Sequence, residues 1–146
     1  MTNFRAFSKT PCLNNNTDIY LLDLRNHGSS QHMPTMTIKD MSNDIVNFMN
    51  IHSLDTTYIM GHSLGGKVAM EFCLNNPERA DGLAVVDVSP KLYTKSDTSS
   101  ETYLMIKKLN EIELGDSIPD NNYKIIRDKV FEIAPNMNIG QFLLTN

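Results

Sequence analysis

The stretch YIMGHSLGGKVAMEF, Tyr58 to Phe72, decides how this chain is read. An apolar, β-branched and aromatic run over Thr56 to Met60 meets a glycine-rich turn around one serine, and a helical pattern begins at once. Gly61-His62-Ser63-Leu64-Gly65 fits G-x-S-x-G, and strand before with helix after is the context that makes this pattern a nucleophile elbow. In such a turn the serine takes a strained backbone conformation that lifts its hydroxyl to the top of the sheet. The amide of Leu64 is then aimed at the place an oxyanion would occupy. Glycine is expected at both 61 and 65 because side chains there would collide with the neighbouring turns. A second pattern overlaps: Gly61, Gly66 and Lys67 open like a phosphate-binding loop. That loop next needs Ser or Thr to hold magnesium, and Val68 cannot ligate a metal.

Working outward, DIYLLDL (Asp18 to Leu24) is a nearly continuous apolar run that suits a strand buried on both faces. Ile38, Met41, Ile45, Phe48 and Met49 mark one face of a helix. Thr37 and Asp40 resemble its capping box, with the shorter acid in place of Glu. After the elbow, Val68, Phe72 and Cys73 can face inward on a second helix, and Pro77 follows its end. DGLAVVDVSP gives a third strand that Pro90 stops. Strands alternating with helices predict an α/β fold with a parallel sheet. Beyond Pro90 the pattern changes to a polar linker and three helical segments, ETYLMIKKLNEIEL, NNYKIIRDKVFEIA and IGQFLLTN. The chain therefore divides into an α/β part, residues 1–90, and a helical part, 91–146.

Composition narrows the partners. The 146 residues are the length of one domain, and 40% hydrophobic with 21% charged residues is ordinary for a globular protein. A net charge of -4 leaves no basic footprint for nucleic acid. No apolar run approaches the roughly 18 residues of a membrane span, and the N-terminus carries no secretory hydrophobic region. Cys12 and Cys73 lack metal-ligand spacing and read as reduced thiols of an intracellular protein, a disulfide between them being the other option.

DLRNHGSS (Asp23 to Ser30), GHSLGGKVAM (Gly61 to Met70) and AVVDVSP (Ala84 to Pro90) together resemble the α/β-hydrolase superfamily. Within it they are similar to the bacterial YbfF-type esterases, the mitochondrial abhydrolase-domain eleven group and the yeast ethanol acetyltransferases. The likeness runs from about Thr2 to Asn146 but covers only the middle of the family's chain, and QFLLTN resembles part of its lid helices. It implies a partial α/β-hydrolase core over 1–90 and a lid or cap over 91–146. Ser63 takes the nucleophile's position and Leu64 N–H the oxyanion donor's. Asp87, 24 residues beyond Ser63, matches an acid position used by some members. A carboxylate at the end of the neighbouring strand can reach a histidine beside the serine; the alternative is that Asp87 caps the turn into Ser89 and Pro90. Asp23, Arg25, Gly28 and Ser30 are expected to hold their own loop, with His27 structural, His62 committed to the elbow, and His32 and His52 on the surface.

The activity implied is hydrolysis of a small acyl ester or thioester, with no cofactor and no metal. Transfer of the acyl group to an alcohol and a non-catalytic pseudoenzyme are the competing functions. Tyr103, Leu104, Met105, Ile106, Phe131, Phe142 and Leu143 would suit an acyl chain, although the same spacing fits plain helix core. The relatives' compartments imply a mitochondrial or cytoplasmic location.

In that family the catalytic histidine follows later strands, and an HG-x-x-G strand precedes the region matched. All four histidines here lie before Ser63. The sequence thus predicts a fragment with an incomplete triad. It also predicts that segments 18–24 and 56–60 leave a gap or pair in a register foreign to the family, with self-association through exposed strand edges as a consequence.

Overall fold

The computed structural model describes residues 4–10, 17–91, 101–111 and 123–144. They fall into two compact units, Met1–Pro90 and Lys91–Asn146. In the first, helix α1 (Ile38–Ile51) precedes strand β1 (Thr57–His62), which is followed by helix α2 (Leu64–Asn75) and strand β2 (Ala80–Val86). The strands are parallel, with His62 opposite Val86 and an irregularity between Thr57 and Tyr58. Parallel neighbours need a crossover, and α2 supplies it. The second unit contains α3 (Glu101–Asn110), α4 (Tyr123–Ile133) and α5 (Met137–Leu143). Phe142 lies within α5, but its side chain and Cys12 are outside the described residues.

The helical stripe anticipated for α1 is the face that packs. Met41, Ile45 and Met49 are buried and meet Val68 and Phe72 of α2, with Leu22, Leu24, Ile38, Ile59 and Cys73 packed around them. Phe48 is the exception on that stripe. It turns aside to meet the His52 ring, tilted, at 4.3 Å and the Tyr20 ring, edge to face, at 5.2 Å. The capping box closes as expected: Thr37 Oγ1 accepts from the Asp40 amide, and the Asp40 carboxylate accepts from Thr37 N–H. These bonds hold the Asp40 carboxyl below its usual range. At the other end of α1, Arg79 donates to Asn50 Oδ1, Leu54 O and Asp55 O, tying the helix terminus to the start of β2.

One expected element is missing. Residues 18–24 form no strand. Leu22 and Leu24 still pack on the core, but Ile19, Tyr20 and Leu21 are exposed. Among the described residues the sheet has two strands, β1 and β2, so the 18–24 segment has no ladder to join. Apolar character is enough to seat it against the helices; a strand also requires a neighbouring backbone. The exposed side of β1 carries Tyr58, 81% exposed, and Met60.

In the second unit, Gly140 of α5 lies so close to the Phe131 ring that a side chain there would overlap it. Tyr123, Arg127, Phe131, Met137 and Leu144 line an open hollow of about 520 Å³ between α4 and α5. Tyr103, Leu104 and Ile106 of α3 are exposed. Among the described residues, no helix is long and apolar enough to cross a membrane.

Candidate functional site

Ser63 sits between the last residue of β1 and the first of α2 with φ 51° and ψ -117°. A non-glycine residue in this region is strained by about 1–3 kcal/mol and persists where its surroundings fix it. Two backbone bonds do so. Ser63 N–H donates to Val86 O at 3.1 Å, and Lys67 N–H donates to Ser63 O at 3.2 Å. Serine at a helix start ordinarily caps with its hydroxyl; here the side chain makes no cap bond. Ser63 is exposed. Leu64, as the first residue of α2, carries one of the amides that helix geometry leaves without an intrahelical partner.

The glycines divide the work differently from the motif's expectation. A side chain at Gly61 would run into the backbone of Gly65 and Gly66, so this position accepts only glycine. At Gly65 a methyl group would meet nothing within 4 Å. The tight partner is Gly66 instead, where a methyl would come within 2.6 Å of Val88 Cγ1. The reason is helical phase: position 66 faces the end of β2, whereas position 65 points away from it.

Asp87 follows β2 directly and has φ 54°. Because β1 and β2 run in parallel with His62 opposite Val86, Ser63 and Asp87 are the next residues on the two strands. The topology therefore brings the two together at the carboxyl end of the sheet. Asp87 Oδ2 lies 3.8 Å from His62 Nε2, with the side chains 87% and 41% exposed. The expectation that His62 is locked inside the elbow is thus corrected: its ring projects toward the neighbouring strand. No local pattern could announce this, because it follows from the register of two strands that are distant in sequence.

The loop after residue 24 is held by its own hydrogen bonds. Asp23 accepts from Ser29 N–H and Ser29 Oγ, and Ser30 Oγ donates to Asp23 O. The bond from the Ser29 amide holds the Asp23 carboxyl below the ordinary carboxylate range. Arg25 forks onto Asp44 with two bonds of 2.7 Å and reaches Thr35 O, fastening the loop to α1. Asn26 and Gly28 take left-handed φ values of 62° and 53° inside the turn. His27 Nδ1 is 2.9 Å from Arg25 O. Burial pushes the Cys73 thiol up, so it is poorly suited to nucleophilic work. Among the described residues no cluster of three or more His, Cys, Asp or Glu is placed to hold a metal ion.

A family model described as the alpha/beta hydrolase fold matches residues 4–110. The chain is 32% identical over 146 residues to the sn-1-specific diacylglycerol lipase ABHD11 of Danio rerio, covering 99% of this chain and 45% of the relative. It is 44% identical over 75 residues to ethanol acetyltransferase 1 of Kluyveromyces marxianus, 51% of this chain and 21% of that one. A solved marine microorganism esterase superposes with a TM-score of 0.71 at 31% identity, over 85% of this chain and 47% of the esterase. The chain spans about half the length, or less, of the relatives it matches. With a left-handed serine between a parallel strand and its crossover helix, and a family match over most of its length, the chain belongs to the alpha/beta hydrolase fold family.

Proposed function

We propose that this chain carries the nucleophile and acid of a serine ester hydrolase. Ser63 is the nucleophile, Leu64 N–H donates to the oxyanion, and Asp87 orients the imidazole that deprotonates the serine. The observation that carries the proposal is Ser63 itself: a strained, uncapped serine at a strand-to-helix turn, one strand away from a left-handed aspartate. Strain of this kind concentrates at working sites, and a hydroxyl that merely capped α2 would need no left-handed backbone. The substrate class is a carboxylic ester, supported by the esterase and lipase names of the relatives; a small acyl group is the finer part of this reading. In this reading residues 91–146 serve as a lid segment.

Steady-state hydrolysis of p-nitrophenyl acetate tests this. The chain should turn over ester above the buffer rate, and Ser63→Ala should remove the whole increment. An increment that survives Ser63→Ala would refute the assignment.

The 44% identity to an ethanol acetyltransferase supports a second reading, acyl transfer to an alcohol. Both share the acyl-serine and differ in what attacks it. Adding ethanol to the assay separates them: ethyl acetate accumulates if alcohol competes with water, and acetate alone accumulates if it does not.

A further inference from the structure

We infer that His62 is a positioning residue for the acid of this site, an inference resting on the nucleophile and acid assignments just proposed. Its ring steadies the Asp87 carboxylate, which in turn orients a separate imidazole, the base for Ser63. Nε2 of His62 lies 3.8 Å from Asp87 Oδ2. Among the described residues no amide or hydroxyl donates to that carboxylate, so it is not engaged in capping the turn into Ser89 and Pro90. The His62 ring is the polar group beside it.

The backbone explains why these two side chains meet. His62 is the last residue of β1 and stands opposite Val86 of β2. Ser63 N–H donates to Val86 O at 3.1 Å, which fixes that register where the strands end. In a regular strand the side chain after Val86 would point to the face opposite that of Val86 and His62. Asp87 leaves the strand with φ 54°, which breaks the alternation, and its carboxylate comes to the His62 ring. That side chain is 87% exposed, so little besides the ring restrains its rotation. A ring N–H set against Oδ2 limits the rotation and leaves Oδ1 for the imidazole of the base.

His62 takes no part in the proton transfer itself. In the tautomer protonated at Nε2 the ring donates toward Oδ2, and it keeps that proton while Ser63 attacks the acyl carbon. Both partners are exposed, so the 3.8 Å separation can close to a hydrogen bond by side-chain rotation. Exposed pairs of this kind are weak. The contribution of His62 is therefore a several-fold one in rate, far below the cost of removing a base.

The test is the second-order rate at which a fluorophosphonate labels Ser63, measured on the full chain with and without added imidazole, and with a thermal melt of each variant. Imidazole should speed labelling of the parent chain, and Asp87→Ala should remove most of that acceleration. His62→Leu should lower the imidazole-dependent rate by about threefold or more. His62→Gln keeps an N–H donor and should stay within about twofold of the parent. With Asp87→Ala already in place, His62→Leu should change nothing further, because the two act through one contact. Melting temperatures should be unchanged, because both side chains are exposed. The role of His62 is overturned, with Ser63 and Asp87 left standing, if His62→Leu labels within about twofold of the parent. The same follows if His62→Gln falls as far as His62→Leu, or if His62→Leu costs as much in the Asp87→Ala background. If imidazole speeds the parent no more than Asp87→Ala, the acid assignment fails and His62 with it. If the parent labels no better than Ser63→Ala, the nucleophile reading itself fails.

Discussion

Ser63 and Asp87 both take a positive φ, 51° and 54°. Aspartate tolerates the left-handed region better than most residues, while serine there is held by its neighbours. The glycines around them make a sharp prediction. Gly61→Ala drives a methyl into the backbone of the first turn of α2. It should break the elbow, abolish Ser63 labelling and lower stability by more than about 3 kcal/mol, which a urea titration would read. Gly65→Ala meets open space; it should leave labelling within about twofold and stability equal or higher by up to about 1 kcal/mol. The motif was legible in the sequence as a pattern, and so was the need for Gly61. Which of Gly65 and Gly66 carries the second steric constraint was not, because that depends on where the helix faces relative to Val85 and Val88. The exposure of His62 toward Asp87 escaped for the same kind of reason: it is a property of strand register.

At the scale of elements, α1 and α2 were readable because a helix is specified by residues three and four apart. Thr37 and Asp40 cap α1 as the sequence predicts, and Thr37→Ala should cost about 1 kcal/mol in a urea titration. The Asp40 carboxyl is held below its usual range by the Thr37 amide bond, as Asp23 is by Ser29. The unfolded chain therefore binds these protons more readily than the folded one. Their stabilisation is complete above the ordinary carboxyl range near pH 4 and is lost as pH falls through the lowered values. The urea midpoint should be flat from about pH 7 to 5 and drop below about pH 4. In Asp40→Asn, part of that drop should disappear; an unchanged acid limb would show that the cap contributes nothing. Segment 18–24 marks where local reading stops. Its apolar run is that of a buried strand, yet a strand exists only when a second backbone lies beside it, and no local pattern records that.

The whole molecule combines a small α/β unit with a separate helical one. The α/β unit is centred on Phe72, Met41, Met49 and Val68, all fully buried. Phe72→Ala should cost about 3–5 kcal/mol, enough to unfold a unit of marginal stability, and loss of the circular dichroism transition would register it. The fold class was visible in the sequence from the alternation around the elbow, and the match over residues 4–110 agrees with it. The proposed chemistry rests on Ser63 being a nucleophile. The most direct measurement is intact and peptide mass spectrometry of the chain after incubation with a fluorophosphonate. One adduct per chain is expected, mapped to the peptide containing Ser63 and absent from Ser63→Ala. No adduct, or one that persists in Ser63→Ala, would contradict it.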